Sequence, residues 1–264
     1  MNKQQILALY DKEMRQEVDY SDCRREVTPA VVRLLSLQAP EGVVLYAWLT
    51  SDNQDTVIRE QIAYFDSLGR KFEWKVHSHD TPPDLHTHLN AFGFTIEEAE
   101  ALMILDLEHA PAILLQPIRH DVRRLTQPEQ LSDVLTVQKA VWNKDFSWLT
   151  ERMTNDLQHH PDRLSLYVAY VEGHPASSAW SYFHPGSHFA GLWGGSTLEN
   201  YRGQGLYTAL LAARAQEAIS RGVRFLTVDA SPMSRPILEK LGFQWVSTMY
   251  PCKWPPEPSA QSSD

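Results

Sequence analysis

The sequence predicts an α/β (α+β) protein built from two similar units, each a sheet flanked by helices. Three observations lead there. Short β-branched and aromatic runs interleave with longer stretches whose apolar residues recur at helical spacing. The chain has 264 residues, comfortable for two domains. The order of elements also repeats. Between 56 and 94 a helix is followed by Ser67-Leu68-Gly69-Arg70-Lys71-Phe72, a proline-containing loop, a helix and Phe92-Gly93-Phe94. Between 206 and 243 a helix is followed by Ser220-Arg221-Gly222-Val223-Arg224-Phe225, a proline-containing loop, a helix and Leu241-Gly242-Phe243. The shared order and the shared spacing to the Gly-Phe pair indicate a degenerate tandem repeat.

The first unit opens with a helix over 3–18. Val27–Leu37 and Val43–Leu49 are strand-like runs joined by the turn chemistry of Gln38–Gly42. A helix over Asp55–Leu68 carries Val57, Ile58, Ile62, Phe65 and Leu68 on one stripe and stops at Gly69. A strand follows at Phe72–His77, then a turn through Thr81-Pro82-Pro83, a short helix over 84–92, and a strand or helix end at Ala101–Leu107, which periodicity alone leaves open. The first domain is expected at 1–110, with Ala110–Pro117 as a connector.

The second domain is expected at 118–254. It reads as a strand at Asp121–Leu125, helices at Pro128–Trp142 and Trp148–His159, and strands at Leu164–Val171, Ala176–Phe183 and Phe189–Leu198. Gly191, Gly194 and Gly195 in the third of these suggest a bulge or a close approach by another backbone. A long helix over Leu206–Arg221 is capped by Gly222. A strand at Val223–Ala230, a short helix at Ile237–Leu241 and a strand at Phe243–Met249 complete it. The Pro- and Ser-rich tail 255–264 is expected to be disordered.

Bulk composition narrows the function. Hydrophobic residues make up 43% and charged residues 22%, with a net charge of -9. That balance argues against nucleic acid, whose phosphates demand a basic surface, and mildly favours a cationic partner such as an amine. Two distant cysteines, Cys23 and Cys252, give no disulfide framework. Met1–Tyr20 lacks the apolar centre of a signal peptide, and no run approaches the ~18 apolar residues of a membrane span. A cytoplasmic protein with no membrane partner is expected. His77, His79, His86 and His88 cluster in sequence but lack convergent cysteines, so no metal site is expected.

The informative segment is Gly194 to Leu211. A strand runs into a loop with Gly203 and Gly205, then into a strong helix. Bare N–H groups at a helix N-terminus bind phosphate oxygens, and glycines let an anion come close. The third glycine of a dinucleotide fingerprint and the Gly-Lys-Ser/Thr of a P-loop are both missing. Arg202-Gly203-Gln204-Gly205-Leu206-Tyr207 resembles the central motif of the GNAT N-acetyltransferases, commonly written Arg/Gln-x-x-Gly-x-Gly/Ala. Val223–Ser231 followed by Pro236 to Phe243 resembles the next strand, helix and Gly-Phe ending of that family, at the family's usual separation.

The resemblance implies two GNAT-like units, each with a mixed, mainly antiparallel sheet, the first having lost its phosphate loop. It implies acetyl-CoA as co-substrate, with the pyrophosphate on the amides of Arg202, Gly203, Gln204, Gly205, Leu206 and Tyr207 together with Thr208. The pantetheine arm would lie near Thr197 and Leu198. It further implies direct attack by a primary amine on a small molecule or peptide, with a base for the amine and an acid for the thiolate. Tyr207 stands where the motif has Gly or Ala, so its side chain must turn away from the phosphates. Leu238 stands where many members carry an acid tyrosine, and Ser231 where asparagine is common. Asp229, sharing a strand face with Ser231, is with it the remaining acid–base candidate; a carboxylate there more often caps the next helix or bonds a loop. Trp180, Tyr182 and Trp193 line an acceptor pocket or form core. The first unit would shape the acceptor cleft or make a homodimer contact. A non-catalytic acyl-CoA-binding or sensing module is the alternative that the missing tyrosine raises.

Overall fold

The computed structural model describes residues 1–255. Its strands, in chain order, are β1 Cys23–Val27, β2 Val31–Ser36, β3 Glu41–Ala47, β4 Lys71–His77, β5 Thr95–Ile96 and β6 Glu100–Asp106, then β7 Asp121–Leu125, β8 Leu164–Val171, β9 His174–Phe183, β10 Phe189–Thr197, β11 Phe225–Ala230 and β12 Gln244–Trp254. The helices are α1 Lys3–Tyr10, α2 Gln54–Ser67, α3 Leu85–Ala91, α4 Ala112–Leu115, α5 Leu131–Trp142, α6 Ser147–His159, α7 Leu206–Ser220 and α8 Arg235–Lys240. Ala101–Leu107, ambiguous in sequence, is largely strand. The expected 27–37 strand is β2 over Val31–Ser36, and its start is the turn of a hairpin with β1, because Thr28 Oγ1 accepts from the amides of Ala30 and Val31. The tail from 256 lies outside the described residues.

Two compact units are present, and they do not divide the chain at one point. The first comprises Met1–Leu102, Asp229–Arg235 and the chain from Trp245; the second comprises Met103–Val228 and Pro236–Gln244. The expected boundary at 110–118 and the expected 118–254 span therefore differ from the observed division. The reason is strand pairing. β12 runs antiparallel to β4 from Met249↔His77 to Trp254↔Phe72 and also takes β5 at Cys252↔Ile96. Main-chain hydrogen bonds thus carry the end of the chain into the first unit.

In the first unit β1, β2 and β3 form an antiparallel meander, and β3 pairs parallel with β4 across the α2 crossover. α2 buries Val57, Ile58 and Phe65. Phe65 stacks on Phe72 at 4.2 Å, and Phe72 meets Phe94 edge-on at 5.5 Å. Leu68, assigned to the apolar stripe by spacing, is 44% exposed at the helix end.

The second unit has the same plan. β7, β8, β9 and β10 are successively antiparallel, and β10 pairs parallel with β11 across α7. Alternation along β8 sends Leu164, Leu166, Val168 and Tyr170 into one cluster with residues of α5 and α6. Tyr167 and Ala169 enter another with Leu206, Leu210 and Ala213 of α7. Both faces are covered, which is why the strands read as near-continuous apolar runs. α4, in the expected connector, is tied to α7 by Gln216 Nε2 donating to the carbonyls of Leu114 and Gln116.

The repeat read from the sequence is present in three dimensions. Helix, strand, helix and Gly-Phe recur as α2–β4–α3–Gly93-Phe94 and as α7–β11–α8–Gly242-Phe243, each following a parallel strand pair. Gly93 and Gly242 both end a helix in the left-handed region, at φ +95° and +87°, and Phe94 and Phe243 are buried. A Cβ at Gly242 would lie 2.7 Å from Pro111 Cγ, whereas at Gly93 the nearest atom is 3.4 Å away on Trp254. Gly242→Ala is therefore expected to cost about 2–3 kcal/mol and Gly93→Ala about 1 kcal/mol. Urea unfolding midpoints test this; equal midpoints for the two variants would refute it.

Candidate functional site

The loop before α7 is shaped by two glycines, Gly203 at φ +75° and Gly205 at φ +82°, conformations that a side chain strongly disfavours. Gly205 is the N-cap residue, and no side chain caps the first turn. The first i→i+4 bond runs from Ala209 N to the Gly205 carbonyl at 2.9 Å. The N–H groups of Leu206, Tyr207 and Thr208 precede it and carry the positive end of a 15-residue helix. Residues 202–205 are exposed. The loop's other polar groups are engaged. Arg202 Nε donates to the Thr197 carbonyl at 3.3 Å, and Gln204 Nε2 to the Asn200 carbonyl at 3.1 Å. The arrangement is an uncapped helix start on a braced loop, which suits an anionic ligand.

Tyr207, the departure from the motif, is half-buried and lies over β10. A Cβ at Gly195 would come within 2.9 Å of Tyr207 Cε2. The ring thus occupies the space that the bare Gly195 leaves. Under the same helix, Arg214 is buried and donates to the carbonyls of Leu210 and Trp180. Burial lowers its pKa to about 10, partly offset by Tyr207 and Tyr167.

β10 is paired on both sides only at its start. The parallel register with β11 covers Phe189↔Phe225 to Gly191↔Thr227 and goes no further. On the other side a bulge between Trp193 and Ser196 interrupts pairing with β9. The anticipated irregularity is therefore a bulge, and the groups close to Gly194 and Gly195 are the side chains of Trp180 and Tyr207, not a backbone. Beyond Gly191 the registered pairing of β10 with β11 ends. Thr227 Oγ1, buried on β11 at the last paired position, has no hydrogen-bond partner.

A polar network missed from the sequence holds the bulge. Gln138 Nε2 donates to Ser178 Oγ at 2.9 Å and to the Gly194 carbonyl at 2.7 Å. Trp142 Nε1 donates to Ser196 Oγ at 2.9 Å. Ser177 Oγ donates to the Ser196 carbonyl at 2.7 Å and meets Thr197 Oγ1 at 2.8 Å. The one sequence signal was the i,i+4 spacing of Gln138 and Trp142, which puts both on one face of α5.

The expected aromatic wall is not assembled. Trp180 and Tyr182 are each 7% exposed in the core with Leu131, Val134 and Met153, so they present no surface to an acceptor. Of the three, only Trp193 is exposed. Their strand alternation, which suggested a pocket, is satisfied by α5 and α6 covering that face. Leu238 is buried and offers no hydroxyl. Ser231 Oγ accepts from Ser234 N and meets Ser234 Oγ within the turn that starts α8.

Asp229 belongs to the first unit, as does its neighbour Lys75. It caps no helix: one carboxylate oxygen lies 3.5 Å from Lys75 Nζ, and the other, Oδ1, is buried without a partner. Glu100 shares this environment. Burial, reinforced by the charge of Asp229 and opposed by Lys75, raises its pKa to about 7. The sign follows from the proton count. Between about pH 4.5 and 7 the folded state holds a proton that the unfolded state has released, so stability falls as pH rises through that window. Glu100→Gln is expected to be more stable than the natural protein by about 1–3 kcal/mol at pH 8, with the gain vanishing near pH 4. A gain independent of pH in denaturant titrations would refute the assignment.

The sequence histidines do not converge. His79 Nε2 meets the Asp11 carboxylate at 3.0 Å, and Asp80 completes a trio with ligand-like spacing. The Arg15 guanidinium, however, already bonds both carboxylates at 2.7 Å. His77 is buried, and its pKa is pushed well down by burial and the charge of Arg15.

Fold and loop together define a mixed α/β domain with a glycine-rich turn at the start of a long helix. Residues 127–243 match the acetyltransferase (GNAT) family model. The whole chain shares its fold with a GCN5-related N-acetyltransferase from Kribbella flavida, at 17% identity, with 95% of each chain covered and a TM-score of 0.66. A functionally unknown conserved protein from Staphylococcus epidermidis covers 91% of this chain and 98% of its own, at 15% identity and a TM-score of 0.65. A tandem GNAT protein from the clavulanic acid biosynthesis pathway covers 89% of this chain and 84% of its own, at 14% identity and a TM-score of 0.59. No curated protein sequence matches the chain. Among the described residues no helix is long and apolar enough to cross a membrane.

Proposed function

We propose that the second unit binds acetyl-CoA and transfers its acetyl group to a primary amine. The observation that carries this reading is the uncapped start of α7 behind Gly203 and Gly205, within a segment of GNAT sequence. In this reading the pyrophosphate lies against the N–H groups from Gly203 to Thr208, where the helix dipole favours negative charge. The pantetheine arm lies along β10 near Thr197 and Leu198. A main-chain N–H on that strand polarises the thioester carbonyl as oxyanion character develops. The neutral amine attacks the carbonyl carbon and forms the C–N bond, the C–S bond breaks, the nitrogen loses a proton, and the departing thiolate takes one up.

The acid and base are the weak link in the resemblance. Leu238 replaces the tyrosine, and Ser231 is spent on its own turn. Asp229 belongs to the first unit and is held beside Lys75. These facts also favour the second reading, an acyl-CoA-binding or sensing module without turnover. A panel of amines assayed for free thiol release separates the two: release with any amine supports the enzyme, and binding without release across the panel supports the sensor.

Calorimetry tests the shared cofactor claim. The natural protein is expected to bind acetyl-CoA with micromolar affinity, and Gly205→Asp to weaken it at least about a hundredfold, equivalent to about 2.8 kcal/mol. Gly205→Ala, which adds strain at φ +82° without charge, is expected to fall between. Absence of binding by the natural protein, or equal binding by Gly205→Asp, would overturn the reading.

A further inference from the structure

His120 stands outside every motif, yet it is the one side chain from another element that hydrogen-bonds the main chain of the Gly203–Gly205 loop among the bonds described. Its Nε2 lies 3.0 Å from the Gln204 carbonyl oxygen, 84 positions along the sequence. The carbonyl can only accept, so Nε2 carries the proton and donates. We propose that His120 is a positioning residue that aims the phosphate-binding amide of Gly205; this rests on the cofactor reading above.

The argument is geometric. Gln204 C=O and Gly205 N–H belong to one planar trans peptide, so the two groups point in opposite directions. Holding the carbonyl from the β7 side turns the Gly205 N–H to the other side, away from His120. Without such a hold this peptide turns readily, because one of the two torsions that orient it is φ of Gly205, which glycine leaves unrestricted. His120 is itself well placed to provide the hold. It immediately precedes β7, which is registered on β8 from Asp121↔Tyr170 to Leu125↔Leu166, and its own carbonyl accepts from Val122 N at 2.9 Å. Its ring also closes the loop's near side, since a Cβ at Gly205 would sit 3.4 Å from His120 Cε1.

The ring has no better occupation. It lines an open cleft of about 600 Å³ with Arg124, Tyr167, Glu217 and Arg221. The charged groups there satisfy one another: Glu217 accepts from Ser165 Oγ and Tyr167 Oη at 2.8 Å and from Arg221 at 2.6 Å. The cleft needs no ligand, and His120 makes its hydrogen bond to the loop.

The test combines ¹⁵N relaxation with calorimetry on three full-length variants. His120→Ala removes the donor, His120→Phe keeps the ring volume without it, and His120→Gln restores an N–H at similar reach. In the ligand-free protein, Ala and Phe are expected to lower the order parameters of the Gly203 and Gly205 amides from about 0.85 toward 0.6, and Gln to restore them. Acetyl-CoA binding is expected to weaken about three- to tenfold in Ala and Phe, the worth of one hydrogen bond, and to recover in Gln. Unchanged Gly205 order in His120→Ala overturns the brace, as does equal binding by Ala and Gln. If the natural protein binds no acetyl-CoA, the cofactor reading fails, and the order parameters alone decide whether His120 holds the loop.

Discussion

Main-chain hydrogen bonding along β10 is the constraint on which the second unit depends. A buried strand is stable only when its N–H and C=O groups find partners. β10 has partners on both sides at Phe189–Gly191, then gives up β11 and bulges away from β9. The interrupted pairing needs compensation, and the surrounding side chains supply part of it. Gln138 takes the carbonyl of Gly194, Ser177 that of Ser196, and Arg202 that of Thr197. These carbonyls are satisfied inside the protein, so this part of the strand has a defined shape rather than a frayed one. The same helix that covers the sheet begins where the strand ends, which places the uncapped amides of α7 directly after the irregular strand.

Buried charge organises the first unit in a comparable way. Arg15 is 2% exposed, and its guanidinium bonds Asp11, Asp80 and the Leu45 carbonyl. Burial works against its charge, and the two carboxylates more than offset that; Asp11 in turn sits below its usual range, where burial is outweighed by His79 and Arg15. Removing any one partner would strand a charge in a poorly solvated place. Lys75, Asp229 and Glu100 form a less complete set, with a carboxylate oxygen left over. Incompletely satisfied charge is commonest at functional sites, and it is this set that includes the one acid–base candidate from the motif region.

Much of this was legible in the residues. Element types followed from periodicity, because amphipathic helices and doubly covered strands leave different spacings. The repeat was visible through Gly93-Phe94 and Gly242-Phe243, where left-handed backbone demands glycine and a buried ring follows. The Gly203–Gly205 turn was visible because its geometry also demands glycine. The contacts of Gln138, Trp142 and His120 with the bulge and the loop were not visible. Their roles lie in contacts 40 to 84 positions away, and an ordinary amphipathic helix or a loop histidine has the same local pattern. Trp180 and Tyr182 misled for the converse reason: strand alternation says which residues share a face, and says nothing of what covers it.

The sequence by itself determined two similar α/β units, the glycine-dependent turn at Gly203–Gly205, and the absence of a hydroxyl at Leu238, since each depends on local backbone or on residue identity. Tertiary structure decided which strand β12 joins, where the pairing of β10 with β11 ends, which aromatics are core and which side chain holds the loop. The division has a physical basis. Backbone conformation is encoded residue by residue, whereas main-chain pairing is nearly blind to side-chain identity, and its partners are chosen only when the whole chain packs.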